Sequence, residues 1–174
     1  MKRLLIVVDM QKDFIDGALG FEGADKIIPG IIERITEYKK NGDEVVYTLD
    51  THTEDYMNTQ EGHNLPVIHC VKGSDGHKLA DELKEILSDC RFFEKPTFGS
   101  MELGAYISEK ASDISSIELC GLVSNICVLS NAVIAKAAAP EAEIIVDGKL
   151  TDSFDKELNR EVLDVMKGIQ IKVL

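Results

Sequence analysis

The sequence predicts a three-layer α/β/α fold built on a six-stranded, mostly parallel sheet. Short apolar runs alternate with helical patterns along the whole chain, which is typical of βα units joined by right-handed crossovers. The first run, Leu4–Val8, is apolar without interruption, as expected for a strand that is buried on both faces of a parallel sheet. The 174 residues suit a single domain, residues 1–174, and contain no repeat or linker.

The other elements follow in order along the chain. Further strands are predicted at residues 44–49, at the short apolar run before Lys95, and at residues 115–121, 142–146 and 169–174. Helices are predicted at residues 24–41, 78–88, 101–111, 125–138 and 155–167. Asn41-Gly42 is a suitable stop for the first of these helices, and Gly168 marks the break before the last strand.

The composition excludes several classes of partner. With 31 acidic and 19 basic residues the net charge is −12, which argues against binding to nucleic acid or to anionic membrane surfaces. No segment approaches the ~20 apolar residues that a membrane helix needs. The four cysteines show no paired spacing, so we expect free thiols and a cytoplasmic protein. We also expect a homo-oligomer.

Cys127 stands where a predicted strand meets a predicted helix, with Ser124 or Asn125 as the helix cap. The unpaired N–H groups and the positive end of the helix dipole would favour thiolate over thiol in this first turn. A nucleophile beside free N–H donors suits acyl transfer. Taken alone, however, a cysteine in an apolar segment is more often an ordinary buried residue.

Two more residues with useful chemistry follow strands. Asp9 comes directly after the first strand, and Lys95 comes after the apolar run that contains Phe93. In open α/β sheets the carboxyl ends of the strands form the ligand crevice, so both residues are well placed for chemistry. Lys95 alone would also be typical of a solvated loop. In a doubly wound sheet, Asp9, Lys95 and Cys127 are expected to converge on one edge.

Three segments occur in an order and at a spacing typical of one family. They are DMQKDF at residues 9–14, Phe93-x-Lys95-x-x-Phe98, and GLVSNICV at residues 121–128. With these segments the chain resembles a cysteine hydrolase of the isochorismatase-like superfamily, which includes nicotinamidases and N-carbamoylsarcosine amidases. Together the segments span most of the chain, and their combination is specific.

The resemblance implies that Asp9, Lys95 and Cys127 form a catalytic triad that hydrolyses a small non-peptide amide through a thioester acyl-enzyme. It also implies a cis peptide bond between Leu122 and Val123, just before the nucleophile turn. The N–H groups of Val123 and Cys127 would then hold the oxyanion. The expected reaction converts nicotinamide to nicotinic acid and ammonia, so a small-molecule amide is the expected substrate.

A metal site is predicted between these segments. Asp50 and His52 follow the second strand and His69 lies beyond a polar loop, and together they offer ligands suited to zinc, iron or manganese. Loop histidines can also be simply solvated. The resemblance favours a divalent metal, with zinc expected first, because nicotinamidases bind one in this segment. Glu61 is the better match for the remaining ligand, and His63 is the alternative.

The substrate is less well defined than the chemistry. Phe14, Tyr56 and Phe98 are candidates for the aromatic walls of a substrate pocket, and Ser124-Asn125 departs from the Thr-Asp pair common in the family. A metal-free amidase acting on N-carbamoyl compounds or ureides remains an alternative. So does a catalytically silent domain that binds a small molecule, although the complete triad argues against it. Isochorismate hydrolysis is not expected, because members with that activity lack the nucleophilic cysteine.

Overall fold

Six parallel strands form one sheet in the computed structural model, which describes residues 1–174. They are β1 (Lys2–Val8), β2 (Glu44–Asp50), β3 (Arg91–Lys95), β4 (Ile114–Leu122), β5 (Glu143–Asp152) and β6 (Lys172–Val173). Their order across the sheet is β3-β2-β1-β4-β5-β6, and every neighbouring pair is parallel. From β1 the chain adds β2 and then β3 on one side. It then crosses back to place β4 beside β1 and adds β5 and β6 on the other side. The predicted fold class is confirmed.

Helices cover both faces of this sheet. They are α1 (Lys12–Ile15), α2 (Ile28–Lys40), α3 (Gln60–Asn64), α4 (Asp81–Lys84), α5 (Met101–Glu109), α6 (Leu129–Ala138) and α7 (Lys156–Gly168). Because side chains alternate along a strand, Leu4 and Ile6 of β1 pack into one core with α5, α6 and α7. Leu5 and Val7 pack into the other core with α2 and α4. Every residue of Leu4–Val8 is consequently buried, as its uninterrupted apolar run predicts.

The helix predicted at residues 78–88 is shorter than expected. Only α4, with four residues, is regular helix, and turns follow it. The residues before α4 are extended because they pair with the chain that leaves β1: Lys12 N–H donates to the Lys78 carbonyl at 2.9 Å and Ala80 N–H to the Met10 carbonyl at 2.9 Å. A helical pattern over these residues thus yields to backbone pairing with a distant segment.

The last strand is also shorter than predicted. Helix α7 begins as expected after Asp155, whose side chain accepts hydrogen bonds from the N–H groups of Glu157 and Leu158. It then runs through Gly168, and Gln170 adopts a positive φ of 66° in the turn that follows. Only β6 remains of the strand predicted at 169–174. By contrast, β5 continues past residue 146 to Asp152.

Other predicted boundaries are close to those found. The helix predicted at 24–41 consists of a 3₁₀ turn, Ala24–Ile27, followed by α2, and it ends before Gly42, whose φ is 72°. The loop predicted at residues 53–64 contains a 3₁₀ turn and α3. No helix combines the length and the apolar character that crossing a bilayer requires.

Gly121 lets the two central strands approach each other near the end of β1. It pairs with Val8 and has a φ of 111°, a conformation that side chains rarely adopt. A Cβ atom at this position would lie 2.1 Å from the Val8 carbonyl oxygen. A larger residue would therefore displace the strand end that carries Asp9.

We expect Gly121→Ala to lower the free energy of unfolding by about 3 kcal/mol or more, since both its φ and the contact with Val8 oppose a side chain. Gly42→Ala is the matched control: its φ is also positive, but no atom lies within 4 Å of the added Cβ. Its cost should be about 1 kcal/mol. Chemical denaturation of both variants measures the difference, and equal costs would contradict the importance of the close approach.

Candidate active site

The ends of β1, β3 and β4, which lie at the same edge of the sheet, bring Asp9, Lys95 and Cys127 together. Asp9 follows β1 with a φ of 46°, Lys95 is the last residue of β3, and Cys127 lies in a π-helical turn, Ser124–Val128, that follows β4. The Lys95 Nζ lies 2.7 Å from the Asp9 carboxylate and 3.4 Å from the Cys127 sulfur. All three side chains are buried. The structure thus brings the three residues of the expected triad within hydrogen-bonding reach.

The Lys95 ammonium has four close neighbours. Besides Asp9 and Cys127, it contacts the Asp50 carboxylate at 3.2 Å and donates to the Thr97 carbonyl at 3.1 Å. With 1% of its surface exposed, Lys95 is not a solvated loop residue. Burial lowers the pKa of Lys95, but the negative charges of Asp9, Cys127 and Asp50 outweigh burial and raise the pKa above its ordinary value. The lysine is therefore a fixed positive charge.

Asp9 is oriented by its neighbours on both sides. The Thr48 hydroxyl donates to one carboxylate oxygen at 2.7 Å, and the Lys95 ammonium faces the other. Burial raises the pKa of Asp9 above its ordinary value, and the nearby charge of Asp50 acts in the same direction, while Lys95 opposes them. A carboxylate with a raised pKa accepts a proton more readily than one in water.

The surroundings of Cys127 favour the neutral thiol, whereas the start of the helix was expected to favour thiolate. Burial raises the pKa of the Cys127 thiol well above its ordinary value, and the negative charge of Asp9 adds to this rise, whereas Lys95 lowers the pKa. Sequence spacing indicated the helix start but not the depth at which the thiol is buried. The resting residue is therefore a thiol that needs a base.

The backbone around Cys127 has two unusual features. The peptide bond between Leu122 and Val123 is cis, and the following turn is π-helical, with Val128 N–H donating to the Val123 carbonyl at 3.2 Å. The N–H group of Val123 donates to no acceptor within the protein, and Val123 lines the same cavity as Cys127. This N–H group is therefore available to a bound molecule.

A second cluster, the metal-type cluster, lies beside these three residues. Asp50, His52 and His69 are all buried, and their ligand atoms lie within 4.8 Å of one another. The Asp50 Oδ2 is 3.0 Å from His52 Nε2 and 3.3 Å from His69 Nε2. Glu61 reaches the cluster, with Oε1 3.7 Å from His52 Nε2, whereas the side chain of His63 is exposed.

The residues of this cluster fit a divalent cation. Two imidazoles and one or two carboxylates form a donor set typical of zinc, iron or manganese. The Nδ1 of His69 donates to the Val67 carbonyl at 2.8 Å, which orients the ring so that its Nε2 faces Asp50. Such an outer hydrogen bond is common for metal-binding histidines. Hydrogen bonds from His52 and His69, together with Lys95, overcome burial and hold the pKa of Asp50 well below its ordinary value.

Two side chains in the first segment of the resemblance support this cluster, although the sequence suggested no role for them. Gln11 donates to the Asp50 carbonyl at 2.9 Å and accepts from the Asp50 N–H at 2.7 Å, which fixes the end of β2. Asp13 accepts from the Cys70 N–H at 2.7 Å, next to His69. Their only signal in the sequence was their position directly after a strand that ends at the crevice.

A cavity of about 430 Å³ opens beside Cys127. Its walls are mostly apolar, and Asp50, Glu61, His69 and Cys127 contribute polar side chains. The lining residues are Phe14, Ala18, Leu19, Gly20, Asp50, Glu61, Leu65, His69, Phe98, Val123, Ile126, Cys127 and Phe154. A larger, open groove of about 970 Å³ lies at the amino ends of β1 to β4, away from these residues.

Two of the three predicted aromatic residues line this cavity. Phe14 and Phe98 do, but the prediction for Tyr56 is wrong. Tyr56 is completely buried, its hydroxyl donates to the Leu65 carbonyl at 2.9 Å, and its ring packs against His52. It therefore supports the histidine cluster from behind. Phe154, which is 61% exposed, forms a wall that the sequence did not indicate because its segment between β5 and α7 carries no motif.

Comparisons with known proteins agree with this geometry. A family model described as an isochorismatase domain matches residues 3–174. The pyrazinamidase of Pyrococcus horikoshii in complex with zinc is similar with 26% identity and a TM-score of 0.83, covering 100% of this chain and 99% of that one. The nicotinamidase of Bacillus subtilis has 27% identity and a TM-score of 0.86, with 99% of both chains covered.

The N-carbamoylsarcosine amidase of Thermoplasma acidophilum is also similar, with 26% identity, a TM-score of 0.81 and coverage of 99% of this chain and 95% of that one. No curated protein sequence matches the chain significantly. The similar structures therefore include enzymes named for two kinds of amide.

We expect Asp9→Asn to lower the pKa of the Cys127 thiol, because it removes the negative charge that raises this pKa and keeps Lys95 nearby. The pH dependence of Cys127 alkylation by iodoacetamide, followed by mass spectrometry, measures the shift. Alkylation below the wild-type midpoint should become faster. Cys90 is half-buried, lies outside the cavity and is the internal control. A higher pKa in the variant would contradict the charge arrangement.

Proposed function

The chain belongs to the isochorismatase family, and we propose that it is a cysteine-dependent amidohydrolase that releases ammonia from a small, uncharged, flat amide such as nicotinamide. The observation that carries the proposal is the position of one buried ammonium, on Lys95, between the carboxylate of Asp9 and the sulfur of Cys127, beside a cavity of suitable size. This combination supplies a base, a nucleophile and a fixed charge at one point.

In the proposed mechanism, Asp9 takes the proton of the Cys127 thiol as the sulfur attacks the amide carbon. The Lys95 ammonium stabilises the negative charge that moves from carboxylate to sulfur, at distances of 2.7 and 3.4 Å. The raised pKa of Asp9 makes it a stronger base and favours this transfer, whereas the raised pKa of Cys127 opposes it, so the charge of Lys95 is needed to stabilise the sulfur.

A tetrahedral oxyanion forms as the carbon–sulfur bond is made. The N–H groups of Val123 and Cys127 are proposed to hold it, and the free N–H of Val123 in the cavity wall supports this role. One such donor typically contributes about 3 kcal/mol to the transition state. Asp9 then returns its proton to the nitrogen, the carbon–nitrogen bond breaks, and ammonia leaves. Water attacks the thioester and gives a proton to Asp9, which passes it to the departing Cys127 sulfur.

We propose that Asp50, His52, His69 and Glu61 hold a divalent metal ion, zinc first, with iron or manganese as alternatives. When bound, the ion would supply a Lewis acid in the cavity wall, for an acceptor atom on the substrate. Both Asp50 and Glu61 line the cavity, which supports a role in binding. The proton transfers described above use only Asp9 and Cys127.

The cavity favours a neutral substrate over an anionic one. Its charged lining residues are Asp50 and Glu61, both negative, and no lysine or arginine lines it. No lysine or arginine among these residues could pair with the carboxylate of an N-carbamoyl amino acid, and the charge of a divalent ion held by Asp50 and Glu61 would be largely neutralised by these two carboxylates. Apolar walls from Phe14, Phe98 and Phe154 suit a flat ring instead. An amidase for N-carbamoyl compounds is therefore the second candidate, supported by the similar structure named for that activity.

We expect ammonia release from nicotinamide with a kcat/KM at least about 100-fold above that for N-carbamoylglycine, which corresponds to about 2.7 kcal/mol. An enzyme-coupled ammonia assay over a panel of neutral and anionic amides measures both. Cys127→Ala should lose at least about 10⁴-fold in turnover. Cys90→Ala is the matched control, because Cys90 lies outside the cavity. Preference for the anionic amide would favour the second candidate.

Purified protein should contain about one divalent ion per chain by elemental analysis. His52→Ala and Glu61→Ala should each lower the metal content sharply, because each removes a ligand and leaves Asp50 with less support. His63→Ala is the matched control, since that side chain is exposed and should not change the content. Full activity without metal would refute this part of the proposal and leave the cysteine chemistry standing.

A further inference from the structure

Asn131 connects the backbone at Cys127 to the segment that carries Phe98, another wall of the cavity. It lies in α6, four residues after Cys127, and is completely buried. Its side-chain NH₂ group donates to the Cys127 carbonyl at 2.8 Å and to the Phe98 carbonyl at 3.1 Å, and its oxygen accepts from the Ser100 N–H at 3.0 Å. All three partners are backbone groups, so the side-chain amide of Asn131 holds two segments of the chain at a fixed separation.

Each of these segments contributes to the cavity. Phe98 is one of its walls, and Ser100 fixes the start of α5, because its hydroxyl accepts from the Leu103 N–H at 3.1 Å. The same loop is held at its other end, where Lys95 donates to the Thr97 carbonyl. The segment from Thr97 to Ser100 is therefore attached to the ammonium on one side and to Asn131 on the other.

We propose that Asn131 is a positioning residue that sets the width of the substrate slot between the Cys127 sulfur and the Phe98 wall. It touches neither the sulfur nor the cavity, and it acts through the two carbonyl groups that it holds. This inference rests on the proposed function for its kinetic consequences, but its geometry can be tested without any substrate. A slot of fixed width selects flat amides and aligns their carbonyl carbon with the sulfur.

Two substitutions separate the hydrogen bonds of Asn131. Asn131→Asp has nearly the same shape and can still accept from the Ser100 N–H, but it loses the donors to Cys127 and Phe98 and turns a carboxylate oxygen toward their carbonyls. Asn131→Leu has a similar volume and loses all three bonds. Ala135→Gly is the control for general destabilisation, because Ala135 is buried in the same helix and takes no part in these contacts.

The substrate-independent experiment compares two thiol reagents on Cys127 by mass spectrometry. In each protein we measure the ratio of the rate constants for N-phenylmaleimide, which carries a flat ring, and iodoacetamide, which is small. Both Asn131 variants should change this ratio at least about fivefold relative to wild type, because the slot is no longer fixed. Ala135→Gly should change it less than twofold. An unchanged ratio in folded Asn131→Asp would overturn the inference.

A double-mutant cycle tests whether Asn131 acts through Phe98. In the Phe98→Ala background the ring wall is gone, so adding Asn131→Asp should change the reagent ratio by less than about twofold. Full additivity of the two effects would refute the proposed route.

With an amide that the wild type hydrolyses, Asn131→Asp should lower kcat at least about tenfold. Ala135→Gly should stay within about threefold of wild type when each protein is assayed equally far below its own thermal midpoint. If wild type hydrolyses no amide but the reagent ratio shifts, the proposed function fails and the positioning role stands. If wild type is active and neither kcat nor the ratio responds to the Asn131 variants, the positioning role fails alone.

Discussion

The buried ammonium group of Lys95 is the interaction on which the rest of the site depends. It stands between the carboxylates of Asp9 and Asp50, which come from the ends of two different strands, and it also reaches the Cys127 sulfur. Taking any of these charges out of water alone would be costly, whereas a mutually paired set is tolerated. The ends of β1, β2 and β3 are thus held at one point by charge, and the metal-type cluster and the nucleophile share a single cation.

The Lys95 ammonium also explains how a deeply buried thiol could act as a nucleophile under the proposed mechanism. Burial raises the pKa values of both Asp9 and Cys127, so neither group holds a full negative charge as easily as it would in water. The fixed charge of Lys95 compensates wherever the proton resides, since it lies close to both atoms. Under the proposed mechanism, Asp9 therefore removes the proton as the sulfur attacks, and no free thiolate is needed before a substrate binds.

The sequence predicted what local patterns determine and missed what packing determines. The uninterrupted apolar run Leu4–Val8 predicted a strand that is buried on both faces, and the structure has this strand. The residues that follow the strands were expected at one edge of the sheet, and they lie there. The helix at 78–88 failed because residues 78–80 pair with a segment more than sixty positions away, which no local pattern records. Tyr56 was misplaced for the same reason: an aromatic residue in a polar segment gives no sign of whether it faces a cavity or supports a histidine from behind. Burial depth, and with it the thiol pKa, exists only in the folded chain.

The strand order divides the crevice between two lengths of chain. The first three strands bring the acid, the lysine and the metal-type cluster, whereas the segments after β4 and β5 bring Cys127 and the Phe154 wall. The two lengths meet at the contact between β1 and β4, where the close approach at Gly121 is located. The proposed reacting groups lie at or just after strand ends, whereas Phe98 and Phe154 lie on the loops beyond them. Sequence changes in those loops would therefore alter which amide is accepted and leave the proposed proton transfers unchanged.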